Sequence, residues 1–174
     1  MKKEIEVKFF VDDLGAVRRK LRKLGAKLKW EGSEHDVFLD TRDFALKKRG
    51  DILRIRRDKK DRITFKRNVK TSGKFKIADE HQLDISSARD LQTIFEHLGF
   101  RVHLEYKKQR EYWEYGGAYI TLDKLPFGNF VEIESSQKKI RNIAGILGLD
   151  FDKSTTKGYR RLVEEYKRNR KIEL

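Results

Sequence analysis

Charged and apolar residues alternate one by one through several segments of this chain, and this pattern limits the possible folds more than any other feature. In the first such segment, residues 3–11, the charged Glu4, Glu6 and Lys8 are separated by single apolar residues. Successive side chains of a β-strand point to opposite faces. The pattern therefore predicts strands that each carry one charged and one apolar face.

The alternation recurs and predicts about eight strands. They span Lys3–Val11, His35–Thr41, Asp51–Arg57, Arg62–Asn68, Phe75–Ile85, Val102–Tyr115, Ala118–Asp123 and Asn129–Ser135. Three or four further segments have apolar residues at helical spacing. They are Leu14–Leu24, Leu91–Leu98, Ile140–Leu147 and Tyr159–Arg170. The first two helices end in Leu-Gly, a common helix stop, so residues 3–41 and 79–115 resemble a weak internal repeat. We infer an α+β fold that is mainly β.

The amphipathic helices need an apolar surface to cover, and the apolar strand faces supply one. Those faces are therefore expected to point outward, towards the helices. About eight strands favour closure into an antiparallel barrel, because closure removes exposed strand edges. The charged faces would then line an interior with room for side chains or one small ligand. The alternative is an open sheet with one wet face, which alternates in the same way.

The charges expected inside the barrel have mixed sign and group by strand. The acidic ones lie on the first, seventh and eighth strands: Glu4, Glu6, Asp123, Glu132 and Glu134. The basic ones are Lys8, Arg54, Arg56, Lys66, Lys108 and Arg110. Buried charges must pair or bind ions. Carboxylates are ligands for hard cations such as Mg²⁺ or Mn²⁺, and so many Lys and Arg side chains suit a polyphosphate. These groups together predict metal-assisted phosphoryl chemistry.

The net charge of +14 raises nucleic-acid binding as a function of a different class. However, the chain has no RNA-recognition motif and no zinc-finger spacing. The basic run between Arg18 and Lys23 is typical of a solvated helix face. A scaffold role would leave the inward-facing carboxylates unexplained. We therefore expect a triphosphate-bearing small molecule as the partner, and no direct nucleic-acid function.

The length, the cysteine content and the apolar runs of the chain limit its domain organisation and its location. The chain has 174 residues, which fits one domain spanning 1–174, and it has no cysteine, which excludes disulfides and cysteine-held metals. The first residues contain no apolar stretch of the kind that a signal peptide needs. No apolar run approaches the ~20 residues of a membrane span. A cytoplasmic location is expected, and the oligomeric state is left open, with a homodimer as one candidate.

Several motifs together resemble a known family. Residues 4–8 read E-x-E-x-K, which is similar to the signature of the CYTH superfamily, the triphosphate tunnel metalloenzymes. The remaining motifs follow in order: L-R-I-R at 53–56, T-F-K at 64–66, K-x-R at 108–110 and G-x-F-x-E-x-E at 128–134. This superfamily includes class IV (CyaB-type) adenylyl cyclases and thiamine triphosphatases. The resemblance covers nearly the whole chain.

The resemblance implies an eight-stranded antiparallel tunnel open at both ends, and it assigns roles to the charged residues. The implied metal ligands are Glu4, Glu6, Asp123, Glu132 and Glu134. The implied triphosphate ligands are Lys8, Arg54, Arg56, Lys66, Lys108 and Arg110, joined by Lys157 from the C-terminal segment. We expect Glu6, Asp123 and Lys108 to act in catalysis. The general base stays open between Glu6, Asp123 and a hydroxide on the metal.

Within the superfamily, residues 35–40 resemble the H-D-x-Y/F-x-D stretch of the CyaB-type branch, with Phe38 at the aromatic position. The branch implies a class IV adenylyl cyclase-like enzyme that converts ATP into cyclic AMP and pyrophosphate. The alternative is a triphosphatase acting on inorganic tripolyphosphate, thiamine triphosphate or nucleoside triphosphates. One departure bears on substrate choice: Gln82 stands where a second acid often follows the position of Glu80.

Overall fold

The structure is a computed structural model that describes residues 2–170, which contain nine strands and five α-helices. The strands are β1 Lys2–Val11, β2 Lys27–Thr41, β3 Ile52–Arg57, β4 Asp61–Ser72, β5 Phe75–Asp84, β6 Phe100–Tyr115, β7 Ala118–Leu125, β8 Gly128–Glu134 and β9 Ser154–Thr155. The helices are α1 Leu14–Lys23, α2 Ala45–Arg49, α3 Ala88–His97, α4 Gln137–Leu147 and α5 Tyr159–Asn169. None of these helices is long and apolar enough to cross a membrane.

The strands form a closed antiparallel barrel. They follow one another in the order β5-β4-β3-β2-β6-β7-β8-β1, and β1 pairs with β5 to complete the circle. The short β9 pairs with β1 at Lys8 and Phe9, beyond the end of β5. The closed eight-stranded barrel with helices outside, predicted from the alternation, is confirmed.

The outward strand faces are apolar, and helices cover them on two sides. On one side, Val7 and Phe9 of β1 pack in a buried cluster with Leu21 of α1 and Ile140 of α4. On the other side, a second cluster joins the outward residues of β2 and β3 to α2 and α3, with Ile55 completely buried at its centre. Burying these faces drives the barrel and the helices together.

Local signals define where the helices begin and end. The side chains of Asp13, Ser87 and Ser136 accept hydrogen bonds from backbone N–H groups of the first turns of α1, α3 and α4. Such side chains satisfy donors that have no partner within the helix. Helix α4 ends at Gly148, whose φ of 68° lies in the left-handed region that glycine adopts without strain.

Some elements differ from the sequence prediction. Strand β2 begins at Lys27 rather than His35, and its added residues pair with β6. This segment is mostly charged, so its alternation of apolar and polar residues is weak. Helix α3 begins at Ala88 and α4 at Gln137, one turn earlier than the apolar spacing suggested. Helix α2 and strand β9 were not predicted, because they are too short to show a period.

One end of the barrel is filled with apolar side chains. Phe38, Leu104, Leu125 and Phe130 face inward there and pack against Tyr159, Leu162 and Val163 of α5. The tunnel that the family resemblance implied to be open at both ends is therefore closed at this end. The reason lies in the sequence, because the inward positions of these strands change from charged to apolar at this level.

Replacing Phe130 by Ala should lower the free energy of unfolding by about 3–5 kcal/mol, since its ring is completely buried in the closed end. Urea denaturation monitored by circular dichroism measures this loss. Leu83→Ala is the matched control, because Leu83 is 68% exposed, and its change should stay within about 0.5 kcal/mol. Equal effects of the two changes would contradict the packing of α5 on the barrel end.

Candidate active site

The barrel encloses a cavity of about 190 Å³ that is lined mainly by charged side chains. The basic residues that line it are Lys2, Lys8, Arg54, Arg56, Arg62, Lys66, Lys76, Lys108, Arg110 and Arg160. The acidic residues that line it are Glu4, Glu6, Glu80, Glu132 and Glu134. The cavity is therefore a strongly cationic chamber with a cluster of carboxylates, as the inward charged faces predicted.

The carboxylates come mostly from β1 and β8, which pair side by side. Glu4 and Glu6 are two residues apart on β1 and share a face, as Glu132 and Glu134 do on β8. The strand register sets Glu6 directly across from Glu134, and Lys8 across from Glu132. Cross-strand partners have neighbouring side chains, so the pairing of two strands gathers four carboxylates on one wall.

Each of these carboxylates has a basic partner. Glu6 lies 2.7 Å from the ammonium group of Lys76, and Glu132 lies 2.7 Å from that of Lys8. Glu4 pairs with Lys66, which also lies 3.1 Å from Glu80. Glu134, nearer the open end, pairs at 2.6 Å with Lys2, a residue with a mostly exposed side chain.

The basic partners keep two of these acids ionised. Burial alone would raise the pKa of Glu6, but Lys76 and other cations outweigh burial and lower the pKa to about 2. Lys8 and Arg110 likewise hold the pKa of Glu132 well below its usual range, despite burial. Glu4 shows the opposite shift: burial and the neighbouring charge of Glu6 raise its pKa.

The acidic wall has the chemistry of a divalent-metal site. Within residues 2–170, no three acidic or histidine side chains converge closely enough to hold a metal ion, because their oxygens are engaged with Lys and Arg. However, four carboxylates on two paired strands supply the hard oxygen donors that Mg²⁺ and Mn²⁺ prefer. Glu6 and Glu132 are already ionised, so the donor set fits such a cation once the basic partners turn to another anion.

A second charged network lies on β2, β3 and β6. Arg56 donates two hydrogen bonds to Asp36, of 2.7 and 2.9 Å, and also lies 2.8 Å from Glu34. Lys108 lies 2.9 Å from the same carboxylate of Glu34. Tyr106 donates a hydrogen bond of 2.8 Å to Asp36. These buried acids fix the guanidinium of Arg56 and the ammonium of Lys108 at the cavity wall.

Two guanidinium groups in the cavity wall retain donors without a partner. Among the described residues, the Nε atoms of Arg54 and Arg62 are buried and make no hydrogen bond. Arg54 donates to Thr64 over 3.3 Å and lies 3.7 Å from Asp36, so it is held less firmly than Arg56. A buried unpaired donor costs free energy. Such donors beside a cavity indicate an anionic ligand.

Helix α5 contributes Tyr159 to the floor of the cavity. The ring centroid lies 4.1 Å from the ammonium groups of both Lys8 and Lys108, and the hydroxyl donates a hydrogen bond of 2.6 Å to Asp123. The face of an aromatic ring attracts cations. Tyr159 therefore connects the closed end of the barrel to two lysines of the site.

The structure brings together most of the residues singled out in the sequence. All of the expected metal and phosphate ligands except Asp123 and Lys157 line the cavity. Asp123 is completely buried behind the wall and holds Arg110 through bonds of 2.6 and 2.5 Å. The ammonium group of Lys157 pairs with Glu165 at 2.8 Å. The roles of Asp123 as a metal ligand and of Lys157 as a phosphate ligand stay predictions.

Several residues of the site, including Arg62 and Tyr159, were not assigned a role from the sequence, and three others show why. Glu34 and Asp36 lie on the inward face of β2, and Lys76 on that of β5. A signal existed for each: Glu34 and Asp36 alternate with outward residues, and Lys76 has the same parity as Glu80. The acids of β2 were not assigned to the interior because acids were attributed only to the first, seventh and eighth strands.

Acid pH should reveal the role of Asp36. Burial alone would raise its pKa, but Arg56 and Arg54 hold it well below the ordinary value of 3.8. The stabilisation from this ion pair is therefore full above pH ~4 and is lost as the pH falls below that value. Asp36→Asn should cost on the order of 3 kcal/mol at pH 7. The difference in the free energy of unfolding between this variant and the wild type should shrink by about 1.4 kcal/mol per pH unit below 3.8.

Urea denaturation of both proteins at pH 7 and at pH 3 measures that gap. Other acids titrate in both proteins, so their contributions to the pH dependence of stability cancel in the difference. A gap that stays constant or widens on acidification would contradict the assignment of Asp36 as an ionised partner of Arg56.

Comparisons with known proteins agree with this geometry. A protein of Methanocaldococcus jannaschii, named as a proposed adenylate cyclase, is 26% identical over 134 residues, which cover 76% of this chain and 77% of that protein. A Vibrio parahaemolyticus structure, also described as a proposed adenylate cyclase, has 21% identity and a TM-score of 0.82, and the match covers 94% of this chain and 98% of that one.

A third relative is a Hippeastrum protein described as a proposed adenylyl cyclase that reveals a dominant triphosphatase activity. It is 18% identical with a TM-score of 0.64, over 89% of this chain and 91% of that one. The two solved structures match the barrel fold. The family model described as the CYTH domain matches residues 2–153, most of the chain, and the chain therefore belongs to the CYTH domain family.

Proposed function

We propose that this chain is a divalent-metal-dependent enzyme that cleaves a triphosphate group bound inside the barrel, and that it does so by hydrolysis. The observation that carries the proposal is the cationic cavity. Its wall holds buried guanidinium donors that have no hydrogen-bond partner within residues 2–170, and it also holds a row of carboxylates on two paired strands.

The charge of the cavity supports a triphosphate rather than one phosphate. Its lining has ten basic and five acidic side chains. The buried Glu34, Asp36 and Asp123 behind the wall offset part of the difference, so a small positive excess is left. A triphosphate that arrives with a divalent cation carries a small net negative charge, which complements that excess. Three linked phosphates also present enough oxygens for several Lys and Arg side chains.

The residues have separate tasks in this proposal. Arg54, Arg56, Lys66 and Arg110 bind phosphate oxygens. A divalent cation, which we propose to be Mg²⁺ or Mn²⁺, would be held by the carboxylates of β1 and β8, and when bound it supplies Lewis-acid polarisation of phosphoryl oxygens.

Lys108 is the candidate for proton transfer to the leaving phosphate. Lys108 is one of the side chains that line the cavity. Burial, together with the neighbouring positive charge of Arg110, lowers its pKa from the ordinary value, which makes the group a better proton donor.

The size of the inner cavity, which holds the phosphate-binding side chains, favours hydrolysis over cyclisation. Its volume of about 190 Å³ is below the ~300–1,000 Å³ of pockets that enclose drug-sized ligands, so it suits the phosphates alone. Cyclisation requires the ribose of ATP to fold back onto the α-phosphorus inside the site, in addition to the three phosphates. Hydrolysis requires only the phosphates and a water. The Hippeastrum relative, described as having a dominant triphosphatase activity, is consistent with this choice.

Adenylyl cyclase activity is the second candidate. It is supported by the name of the M. jannaschii relative and by the H-D-x-F-x-D stretch at residues 35–40. The structure places Asp36 of this stretch on Arg56 and Phe38 in the apolar closed end. Both residues then support the site rather than recognise a nucleoside.

A product assay tests the proposal. The purified protein is incubated with ATP, thiamine triphosphate or tripolyphosphate in Mg²⁺ or Mn²⁺, and the products are separated by chromatography. Orthophosphate release that stops on addition of a chelator is the expected result. Formation of cyclic AMP with pyrophosphate would show that the enzyme catalyses cyclisation rather than hydrolysis. Failure to cleave any of the three compounds in either metal would overturn the proposal.

A further inference from the structure

A second cavity of about 330 Å³ adjoins the cationic one at the open end of the barrel. The two share Arg56, Arg62, Arg110 and Tyr112 in their walls, so they lie side by side. We call the second cavity the outer chamber. In addition to Tyr112 it is lined by Trp30, near the start of β2. It thus combines two aromatic side chains with direct access to the phosphate-binding groups.

Most of the charged side chains around the outer chamber are paired. Arg62 pairs with Asp58, and Lys60 lies 3.1 Å from Asp84. Arg56 lies 2.8 Å from Glu34 at the junction with the inner cavity. The lining of the inner cavity has ten basic and five acidic side chains, whereas the lining of the outer chamber has five basic and three acidic side chains. The outer chamber therefore has a smaller basic excess than the inner cavity, and its two aromatic side chains suit an aromatic group.

The sequence leaves room for the indole of Trp30 on the barrel wall. Trp30 is half-buried, and its ring lies over Gly32, two residues along β2. A β-carbon at Gly32 would lie 2.9 Å from Cζ2 of the indole, closer than such atoms approach. The φ of Gly32 is not in the left-handed region, so the glycine provides space rather than an unusual backbone.

In the part of the chain that the structure describes, the opposite end of the barrel offers no comparable route. Phe38, Leu104, Leu125 and Phe130 fill it beneath α5. A group attached to a triphosphate that occupies the inner cavity must therefore extend towards the open end. At that end it meets the outer chamber first.

We propose that the outer chamber binds the nucleobase of a nucleoside triphosphate, with Trp30 as the specificity-determining residue that stacks on the base. This inference rests on the proposed function and narrows its substrate to nucleoside triphosphates over inorganic tripolyphosphate. Every base has a face that can stack on an aromatic ring, so the site recognises a planar base without selecting strongly among bases.

Steady-state kinetics of the full chain test the proposal. Trp30→Ala should raise KM for ATP by about 5- to 150-fold, the range that loss of one base–aromatic stack produces. KM for tripolyphosphate should stay within about twofold, since it has no base to stack. Trp30→Phe should retain most of the affinity for ATP. Leu28→Ala, an exposed apolar change on the same strand, is the matched control.

Tryptophan fluorescence gives a second readout that does not depend on turnover. The chain has two tryptophans, and Trp113 is buried in the core. A nucleoside triphosphate analogue with an uncleavable β–γ linkage should quench the emission of Trp30. Tripolyphosphate should not, and Trp30→Phe should abolish the effect.

The outcomes separate the two proposals. Equal effects of Trp30→Ala on ATP and tripolyphosphate, or no quenching by the analogue, would overturn the outer-chamber assignment while leaving triphosphate cleavage intact. Quenching of Trp30 in a protein that cleaves no triphosphate would retain the base site and overturn the proposed reaction.

Discussion

Replacing Glu134 by Gln is expected to reduce metal-dependent triphosphate cleavage by more than about a hundredfold, since losing even a residue that orients a metal ligand costs ~10–100-fold. Glu134 is the most accessible carboxylate of the acidic wall. Its one ion pair with a described residue is with Lys2, whose side chain is 62% exposed. The substitution should therefore leave the fold intact. Turnover of ATP or tripolyphosphate across a range of Mg²⁺ concentrations measures the effect.

Glu111→Gln is the matched control for that experiment. Glu111 also lies on a barrel strand and pairs with a basic residue, Arg18, but on the outer face. The activity of this variant should stay within about twofold of the wild type, because Glu111 does not line the cavity that holds the metal-binding carboxylates. Full activity of Glu134→Gln would contradict the assignment of the β1 and β8 carboxylates as the metal-binding wall.

Replacing Arg54 by Met is expected to weaken triphosphate binding by about 10- to 150-fold, since a hydrogen bond to a charged group contributes about 1.5–3 kcal/mol. Arg54 suits this test better than Arg56. Removing Arg56 would strand the buried acids Glu34 and Asp36 and destabilise the barrel. Among residues 2–170, the buried Nε of Arg54 has no hydrogen-bond partner, and its guanidinium is held by a long 3.3 Å hydrogen bond to Thr64 and a 3.7 Å contact with Asp36.

Inhibition constants for tripolyphosphate and orthophosphate, measured on the same variant, separate a multi-phosphate site from a single anion site. Orthophosphate should lose much less affinity, because one phosphate can shift to the remaining cations. Arg67→Met is the control, since Arg67 is on β4 but 60% exposed outside the barrel. An equal loss for both anions would argue against a site that spans several phosphates.

The barrel was predictable from two patterns in the sequence, the alternation along the strands and the helical spacing of apolar residues. Each pattern creates an apolar face that can be buried only against the other. The apolar faces of the strands and the apolar faces of α1 and α4 are complementary, and burying both places Glu6 and Lys8 inside. The same parity rule places Arg54, Lys66 and Arg110 on the cavity wall. No knowledge of the loops was needed, because alternation along each strand fixes which side chains share a face.

The closed end and the outer chamber were not predictable in this way. Both depend on the level at which each residue lies along the barrel axis, and strand register sets that level. Phe38 and Phe130 meet α5 because β2, β6, β7 and β8 align their apolar positions at one height. Trp30 lies beyond the predicted start of β2, in a segment whose charged residues hide the alternation.

The sequence pattern also does not show which side chains pair with the buried charges. Parity indicates that Asp123 faces inward, but not that Arg110 and Tyr159 occupy its oxygens. Tyr159 reaches it from α5, across 36 residues of chain. Such contacts follow from packing of the whole barrel, which is why the ligand roles of Asp123 and Lys157 stay predictions.

Calorimetric titration of the protein with orthophosphate, pyrophosphate and tripolyphosphate tests the central claim most directly. A chelator is present, so that no turnover occurs and the basic wall is probed alone. If the inner cavity is built for a triphosphate, affinity should rise by at least about tenfold with each added phosphate, as new charge-assisted hydrogen bonds form. Equal affinities for the three anions would contradict a triphosphate site inside the barrel.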